Sequence, residues 1–181
     1  VGLTPAAVNL TTGVMNLGGW SDAWLSTENK PVMLKSSGVE DYELDPDDYT
    51  KKSDGTTASD VANTSYDGNA VARIPLVWMK QWDDDTYIYC NICNIQLDNT
   101  YHAYAHTRSD GSVADKIYVA MFEGAASGSK LRSLKGLAPI NSQTGATEIS
   151  YATANGTHWN TGTWGQRNLI NMLLILLGKT T

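Results

Sequence analysis

The sequence predicts an α+β fold in which short helices pack on a small, irregular antiparallel sheet. Three segments rich in Val, Ile, Tyr and Trp are separated by polar turns, which is typical of antiparallel strands: VARIPLVWMKQW, TYIYCNICNIQL and KIYVAMFE. Two stretches nearer the C-terminus carry helix-capping residues and predict short helices. The 181 residues of the chain are enough for one domain with its own core.

The N-terminal part of the chain predicts an arm followed by turns. Residues 1–20 are small, polar and rich in glycine, so we expect an arm or linker before a domain over residues 21–181. In DPDDYTKK, Asp45 is placed to cap a helix whose first residue is Pro46. This capping role explains the local acidic run better than a calcium loop, which needs a glycine at its sixth position and a closing glutamate. Pro75 predicts that its strand lies at an edge or contains a bulge.

Two helices are predicted near the C-terminus. TGATEISYATANG predicts the first, ended by Asn155 and Gly156. The second begins at TWGQ, where Thr163 and Gln166 form a capping box, and it runs to the end of LLILLG. Its apolar part is about half of the roughly 20 residues that cross a bilayer, so we expect a buried core helix without membrane insertion. We also expect a loop, a neighbouring subunit or a further C-terminal segment to cover this helix after Lys179.

Composition excludes one class of partner and favours another. The net charge is -6 and no basic run exceeds two residues, so nucleic-acid binding is not expected. The first 20 residues lack the basic segment and apolar core of a secretory signal, so we expect no secretory export. The 6 Trp and 9 Tyr suit half-buried or ligand-binding surfaces, because each ring carries a polar group at its edge.

The cysteines and two of the histidines do not form a pattern that predicts a metal site. Cys90 and Cys93 are three residues apart in a predicted strand and therefore point to opposite faces, which disfavours a disulfide or a shared metal. His102 and His106 are four apart, but the HExxH pattern is not matched. We expect structural cysteines and no metal or other cofactor.

Several consecutive blocks resemble a phage-encoded family of minor structural, tail-fibre or head-fibre proteins from phages of gut Firmicutes. They are DYELDPDDYTKKSDGTTASDVAN, GNAVARIPLVWMK, YVAMFEGAASGSKLRSLKGLAP and ISYATANGTHWNTGTWGQRNLINMLLILLGK. The resemblance covers about residues 24–181. The broader pattern is similar to C-type-lectin-like folds of phage adhesins, including those diversified by diversity-generating retroelements, and distantly to formylglycine-generating enzymes.

The resemblance implies a C-type-lectin-like fold and a set of framework positions without a catalytic role. These positions are Ala72, Ile74, Pro75, Lys80, Tyr118, Glu123, Gly124, Leu131, Arg132, Ser133, Gly136, Pro139, Asn155, Gly156 and Trp159. The related enzymes use reactive or copper-binding cysteines, an arrangement that CNIC does not match, so no enzyme activity or catalytic residue is expected. Members of the family continue beyond LLILLGK with a Gly-, Asn- and Trp-rich segment, so we expect this chain to be shortened or truncated there.

Two aromatic groups are the candidate ligand-binding residues. Aromatic rings beside Asn, Thr and Asp are typical of carbohydrate sites, because rings stack on sugar CH groups while polar groups bind hydroxyls. One group surrounds NTGT and the other lies in YHAYAH: His158, Trp159, Asn160 and Trp164, then Tyr101, His102, Tyr104 and His106. The alternative is that the two tryptophans pack against the terminal helix as core.

Together these features predict a non-enzymatic virion protein of a phage, in a tail fibre, head fibre or capsid decoration. We expect it to act in host attachment or assembly, with a host cell-surface receptor or glycan and other virion proteins as partners, and as a homo-oligomer, with a trimer favoured. The alternative is a bacterial surface or secreted lectin-like domain that binds glycans. An enzyme related to the formylglycine-generating group is the least favoured interpretation.

Overall fold

The computed structural model describes residues 3–20 and 23–178, with the backbone alone for residues 176–178. The strands are β1 (Ala6–Asn9), β2 (Met15–Asn16), β3 (Lys30–Lys35), β4 (Glu40–Glu43), β5 (Gly68–Pro75), β6 (Trp78–Asp83), β7 (Tyr87–Cys93), β8 (Lys116–Ala120), β9 (Ala125–Ser127) and β10 (Lys130–Arg132). The helices are α1 (Leu25–Glu28), α2 (Gly145–Thr153) and α3 (Trp164–Gly178). The predicted α+β class is confirmed, but the described strands form two four-stranded sheets and one two-stranded sheet, where we expected one.

The chain forms two compact units, and the first contains the sheet in the order β2-β1-β7-β6. It is made of the described parts of residues 1–28, 75–117 and 163–181. We expected an arm over residues 1–20, but β1 pairs antiparallel with β7 from Ala6 opposite Cys90 to Asn9 opposite Tyr87. The pairing occupies an edge of β7 that would otherwise expose its N–H and C=O groups.

The cysteines lie inside this first sheet. Cys90 is 4% exposed and Cys93 is 0% exposed, and neither forms a disulfide. Burial raises the pKa of the Cys90 thiol to about 12 and also raises that of Cys93, which keeps both protonated at neutral pH. The prediction of structural cysteines is confirmed in that both are buried and unpaired.

Pro75 separates two strands that the sequence predicted as one. VARIPLVWMKQW divides at Leu76 and Val77 into β5 and β6, which belong to different sheets. β5 lies between β3 and β8, so the predicted edge position was wrong. Pro75 is the last residue of β5, where the missing N–H interrupts no further ladder bond.

The helix predicted in DPDDYTKK does not form. Asp45 accepts a hydrogen bond from the N–H of Asp47 at 2.9 Å, and Asp48 accepts one from the N–H of Thr50 at 3.1 Å. These side chains therefore bind the backbone in successive turns instead of capping a helix. The segment is also too polar to bury a helix face, and Tyr49 is 42% exposed.

The same turn recurs wherever Asp is followed two residues later by Thr or Ser. In each case a carboxylate oxygen accepts the N–H of the later residue: Asp48–Thr50, Asp54–Thr56, Asp84–Thr86, Asp98–Thr100 and Asp110–Ser112. Hydrogen bonds to the ionised carboxylate lower the pKa of all five aspartates. Part of the negative charge of the chain is therefore carried by aspartates that form turns.

The second unit spans residues 29–74 and 118–162 and contains the sheet in the order β4-β3-β5-β8. Alternate side chains of β3 enter different clusters, with Met33 in one and Val32 and Leu34 in another. Both faces of β3 are therefore covered. Because both faces are buried, the strand carries the continuous apolar run VML and not an alternation of apolar and polar residues.

Arg132 and Asn155, two of the positions that the resemblance implies belong to the framework, form buried hydrogen bonds within the second unit. Arg132 is 8% exposed and donates to the carbonyl oxygens of Tyr66 and Gly68. Asn155 is 5% exposed and donates from Nδ2 to the carbonyl oxygen of Leu131 at 2.8 Å. Both side chains bond backbone carbonyls of segments that are distant in sequence and so connect those segments.

The two C-terminal helices begin as predicted. Thr144 caps α2 by accepting the N–H of Thr147. In α3 the capping box is complete, because Thr163 accepts the N–H of Gln166 at 3.2 Å while the Gln166 side chain accepts the N–H of Thr163 at 3.0 Å. Within residues 3–20 and 23–178, no helix is long and apolar enough to cross a membrane.

The prediction that α3 is a buried core helix is confirmed on one face only. Leu169 is 2% exposed, but Leu174 is 62% and Ile175 is 50% exposed. Their side chains lie on a largely exposed stripe, because the helix is packed through the face of Gly165 and Leu169. The expectation about what covers the helix after Lys179 lies outside the described residues.

Candidate functional site

An open cavity of about 440 Å³ lies beside β6 in the first unit. Rings, neutral polar groups and one ammonium-bearing side chain contribute to its lining: Met79, Lys80, Gln81, Asn99, Thr100, His102, Tyr104, Trp164 and Asn168. We call this cavity the β6 cleft. It brings together three of the eight sequence-predicted binding residues.

Those three residues form a continuous aromatic wall. The rings of His102 and Tyr104 are stacked, with centroids 4.9 Å apart and planes 22° apart. Trp164 meets Tyr104 edge to face, with centroids 6.2 Å apart and an angle of 68°. Trp164 is 72% exposed and Tyr104 is 52% exposed, so ring surface remains open to a ligand.

Backbone contacts position this wall from two sides. The N–H of Met79 donates to the carbonyl of His102 at 3.0 Å, and the N–H of His102 donates to the carbonyl of Met79 at 2.9 Å. On the other side, the start of α3 lies against the chain at Tyr104, where a Cβ added to Gly165 would be 2.4 Å from the Tyr104 carbonyl oxygen. Trp164 is the first residue of that helix and is therefore held beside Tyr104.

The polar lining is largely without internal partners. The side chains of Gln81, Asn99 and Asn168 form no hydrogen bond to a described residue. Each side-chain amide offers two N–H donors and one carbonyl acceptor to a ligand. Thr100 is different, because its hydroxyl donates to Asp98.

Lys80 contributes the one charged side chain among the described lining residues. Its Nζ lies 5.2 Å from the centroid of the Trp82 ring and 5.8 Å from that of Tyr101. Both rings hold the ammonium by cation–π attraction.

Tyr101 and His106, two further predicted binding residues, lie in the interior instead. Tyr101 is 6% exposed, and its hydroxyl accepts a hydrogen bond from Asn91 at 3.0 Å. His106 is 1% exposed, and its Nε2 accepts the N–H of Val77 at 3.3 Å. Burial lowers the pKa of His106 to about 4, so the ring is neutral at physiological pH.

The remaining three predicted residues belong to the second unit. Trp159 is half-buried against the cluster of Val32, Leu34 and Val71, and its Nε1 donates to the carbonyl of Ser36 at 3.0 Å. For this tryptophan the structure favours the core alternative. His158 and Asn160 are exposed on either side of it.

Sequence reasoning missed the amides that line the cleft. Asn168 could have been found, since it lies four residues after Trp164 on a predicted helix and so shares its face. Gln81 and Asn99 carried no such signal, because their proximity depends on how the loop after β7 returns to β6. Within the described part of the chain, no group of three or more His, Cys, Asp or Glu side chains is placed to hold a metal ion.

Comparisons with protein-family models, curated proteins and solved structures gave no match for this chain.

Proposed function

We propose that this chain is a non-enzymatic, saccharide-binding protein of a phage virion that acts in attachment to the host surface. The observation that carries the binding role is the β6 cleft, where exposed rings adjoin side-chain amides without hydrogen-bond partners. The finer assignment of its α+β fold as C-type-lectin-like is part of the same proposal and follows from the sequence resemblance.

The chemistry of the cleft suits a sugar. The exposed face of Trp164 can stack on the CH groups of a pyranose ring, and the T-shaped contact with Tyr104 limits the rotation of the indole. Gln81, Asn99 and Asn168 supply donors and acceptors for hydroxyl groups. Because these amides form no hydrogen bonds to described side chains, binding does not require internal bonds to be broken first.

The virion assignment rests on the consecutive sequence blocks that resemble phage fibre and minor structural proteins. The buried bonding of Arg132 and Asn155 supports their role as framework positions in those blocks. Assembly with other virion proteins and a homotrimeric state are proposed on the same resemblance. A bacterial surface or secreted lectin would use the same cleft, so location decides between the two.

The binding role is tested by the substitution Trp164→Ala on a glycan array. We expect wild-type protein to bind a restricted set of glycans and the variant to bind them at least about tenfold more weakly, because the principal stacking surface is lost. Since Trp164 is 72% exposed, its removal should leave the fold intact, which circular dichroism checks.

Tyr49→Ala is the matched control, because Tyr49 is an exposed aromatic residue of a turn in the second unit. This control should bind as wild type does. An array without binding, or a Trp164→Ala variant that binds like wild type, would contradict the saccharide role of this cleft. Immunogold electron microscopy of phage particles tests the location, and absence of label on intact particles would favour the lectin alternative.

A further inference from the structure

A second group of aromatic side chains lies on the β6–β7 hairpin and is separate from the aromatic wall of the cleft. The rings of Trp82 and Tyr89 are stacked, with centroids 5.0 Å apart and planes 11° apart. Tyr87 lies 6.0 Å from Tyr89 and is 36% exposed. We call Trp82, Tyr87 and Tyr89 the hairpin aromatic group. Their register places them on one face, because Trp82 is opposite Tyr89 and Tyr87 is two residues away.

Lys80 connects this group with the β6 cleft. It lines the cleft, and its Nζ lies 5.2 Å from the centroid of the Trp82 ring. Lys80 and Trp82 are two residues apart on the same strand and therefore project from the same face. The aromatic surface thus continues from the cleft along β6.

Between the two aromatic surfaces, β6 has an open edge. Met79 directs its N–H and C=O away from β7, where both bond His102. In an antiparallel strand alternate residues share this direction, so Gln81 and Asp83 also direct their N–H and C=O outward. No described residue bonds the backbone of Gln81 or Asp83 on that side. These backbone groups are available to hydroxyl groups of a ligand.

We propose that the hairpin aromatic group is a second subsite, so that the protein binds an extended saccharide chain and not a single terminal sugar. The inference rests on the proposed saccharide function of the β6 cleft. From Met79 to Trp82 the strand advances roughly 10 Å, which is farther than one sugar ring extends. A chain that stacks on Trp164 can cross the open edge at Gln81, contact Lys80 and reach the hairpin aromatic group.

Affinity as a function of chain length tests this arrangement. The probes are the array glycan that wild-type protein binds most tightly and its mono- to hexasaccharide fragments, titrated by calorimetry. We expect wild-type affinity to rise at least about tenfold from the disaccharide to the longest fragments, as the second stacking surface becomes occupied. Trp82→Thr should abolish this rise, and circular dichroism checks that the variant keeps its fold.

The short fragments serve as the control for the cleft, because their unchanged binding shows that it is intact in a variant that leaves Trp82 beside Lys80. Tyr87→Ala is a second variant, which removes an exposed ring without breaking the Trp82–Tyr89 stack, and it should lower affinity for long fragments only. Tyr49→Ala should have no effect at any length.

The outcomes separate this inference from the proposed function. If Trp164→Ala abolishes binding while affinity is independent of chain length and of Trp82, the second subsite is disproved and the saccharide role stands. If neither short nor long glycans bind wild-type protein, both proposals fail. If only Trp82→Thr weakens binding, the hairpin is the principal site and the cleft is not.

Discussion

His106 is a titratable side chain enclosed in the first unit. It is 1% exposed, and its Nε2 accepts the N–H of Val77, which lies just before β6. Protonation would remove this acceptor and place a charge in the interior. Burial accordingly lowers the pKa from 6.5 to about 4.

The lowered pKa of the buried His106 predicts that the protein loses stability in mild acid. Between pH 6.5 and about 4, the unfolded chain binds a proton at this residue that the folded chain does not. The free energy of unfolding therefore decreases as the pH is lowered through this range. The contribution is fully present above pH 6.5, and up to about 3 kcal/mol is lost by pH 4. Urea unfolding across this range measures it.

The control for this prediction is a non-titrating residue at the same position. His106→Gln should lack this part of the pH dependence, whereas the exposed His158→Gln should keep it. The aspartates of the turns, such as Asp54 and Asp98, have pKa values lowered from 3.8, so most of their contribution is lost at more acidic pH than that of His106. Equal losses in wild type and His106→Gln would contradict the role of His106.

Gly165 determines how closely helix α3 packs, because the absence of a side chain lets the helix start against the backbone at Tyr104. A Cβ at this position would lie 2.4 Å from the Tyr104 carbonyl oxygen and 3.1 Å from the N of Ala105. Both neighbours are backbone atoms and cannot rotate away. The contact holds Trp164, one residue earlier, at the aromatic wall.

Gly165→Ala should therefore destabilise the protein, although alanine is the better helix former. We expect a loss of about 1–3 kcal/mol in the free energy of unfolding, from overpacking against Tyr104. Gly145→Ala is the matched control, since Gly145 begins α2 and an added Cβ meets nothing within 4 Å. That variant should be neutral or up to about 1 kcal/mol more stable. Thermal and urea unfolding of both variants measures the difference, and a stabilised Gly165→Ala protein would contradict the close contact.

The two faces of α3 differ in burial. Gly165 and Leu169 lie against the unit, whereas Leu174 and Ile175 remain 62% and 50% exposed. Leucines lie on both faces of this helix, so hydropathy alone could not distinguish the faces. Burial depends on which elements return to the helix, and these are distant in sequence.

Charge is a property of the whole molecule, and here it is acidic. The net charge is -6 with a pI of about 4.9. Five aspartates are engaged in Asp-x-Thr/Ser turns, and hydrogen bonding lowers their pKa, so they stay ionised at neutral pH. Phosphate groups of nucleic acids would be repelled by this charge.

We therefore expect no binding to duplex DNA or RNA in an electrophoretic mobility assay at low ionic strength, where electrostatic attraction is strongest. The control is the same assay with a basic protein of similar size. A shifted complex at submicromolar protein would show a local basic surface that the net charge conceals.

The sequence by itself determined the starts of the two C-terminal helices and the class of fold, because these depend on residues a few positions apart. Thr163 and Gln166 cap α3 as predicted, and Cys90 and Cys93 lie buried in a strand.

Tertiary structure alone decided which candidate residues meet. His102, Tyr104 and Trp164 share one cleft, whereas Trp159 serves as core in the second unit. It also separated β5 from β6 at Pro75 and made β1 a strand of the first sheet. These outcomes depend on pairing between residues distant in sequence, which local propensity does not predict. The partner is selected by the burial of apolar surface and by the satisfaction of backbone hydrogen bonds.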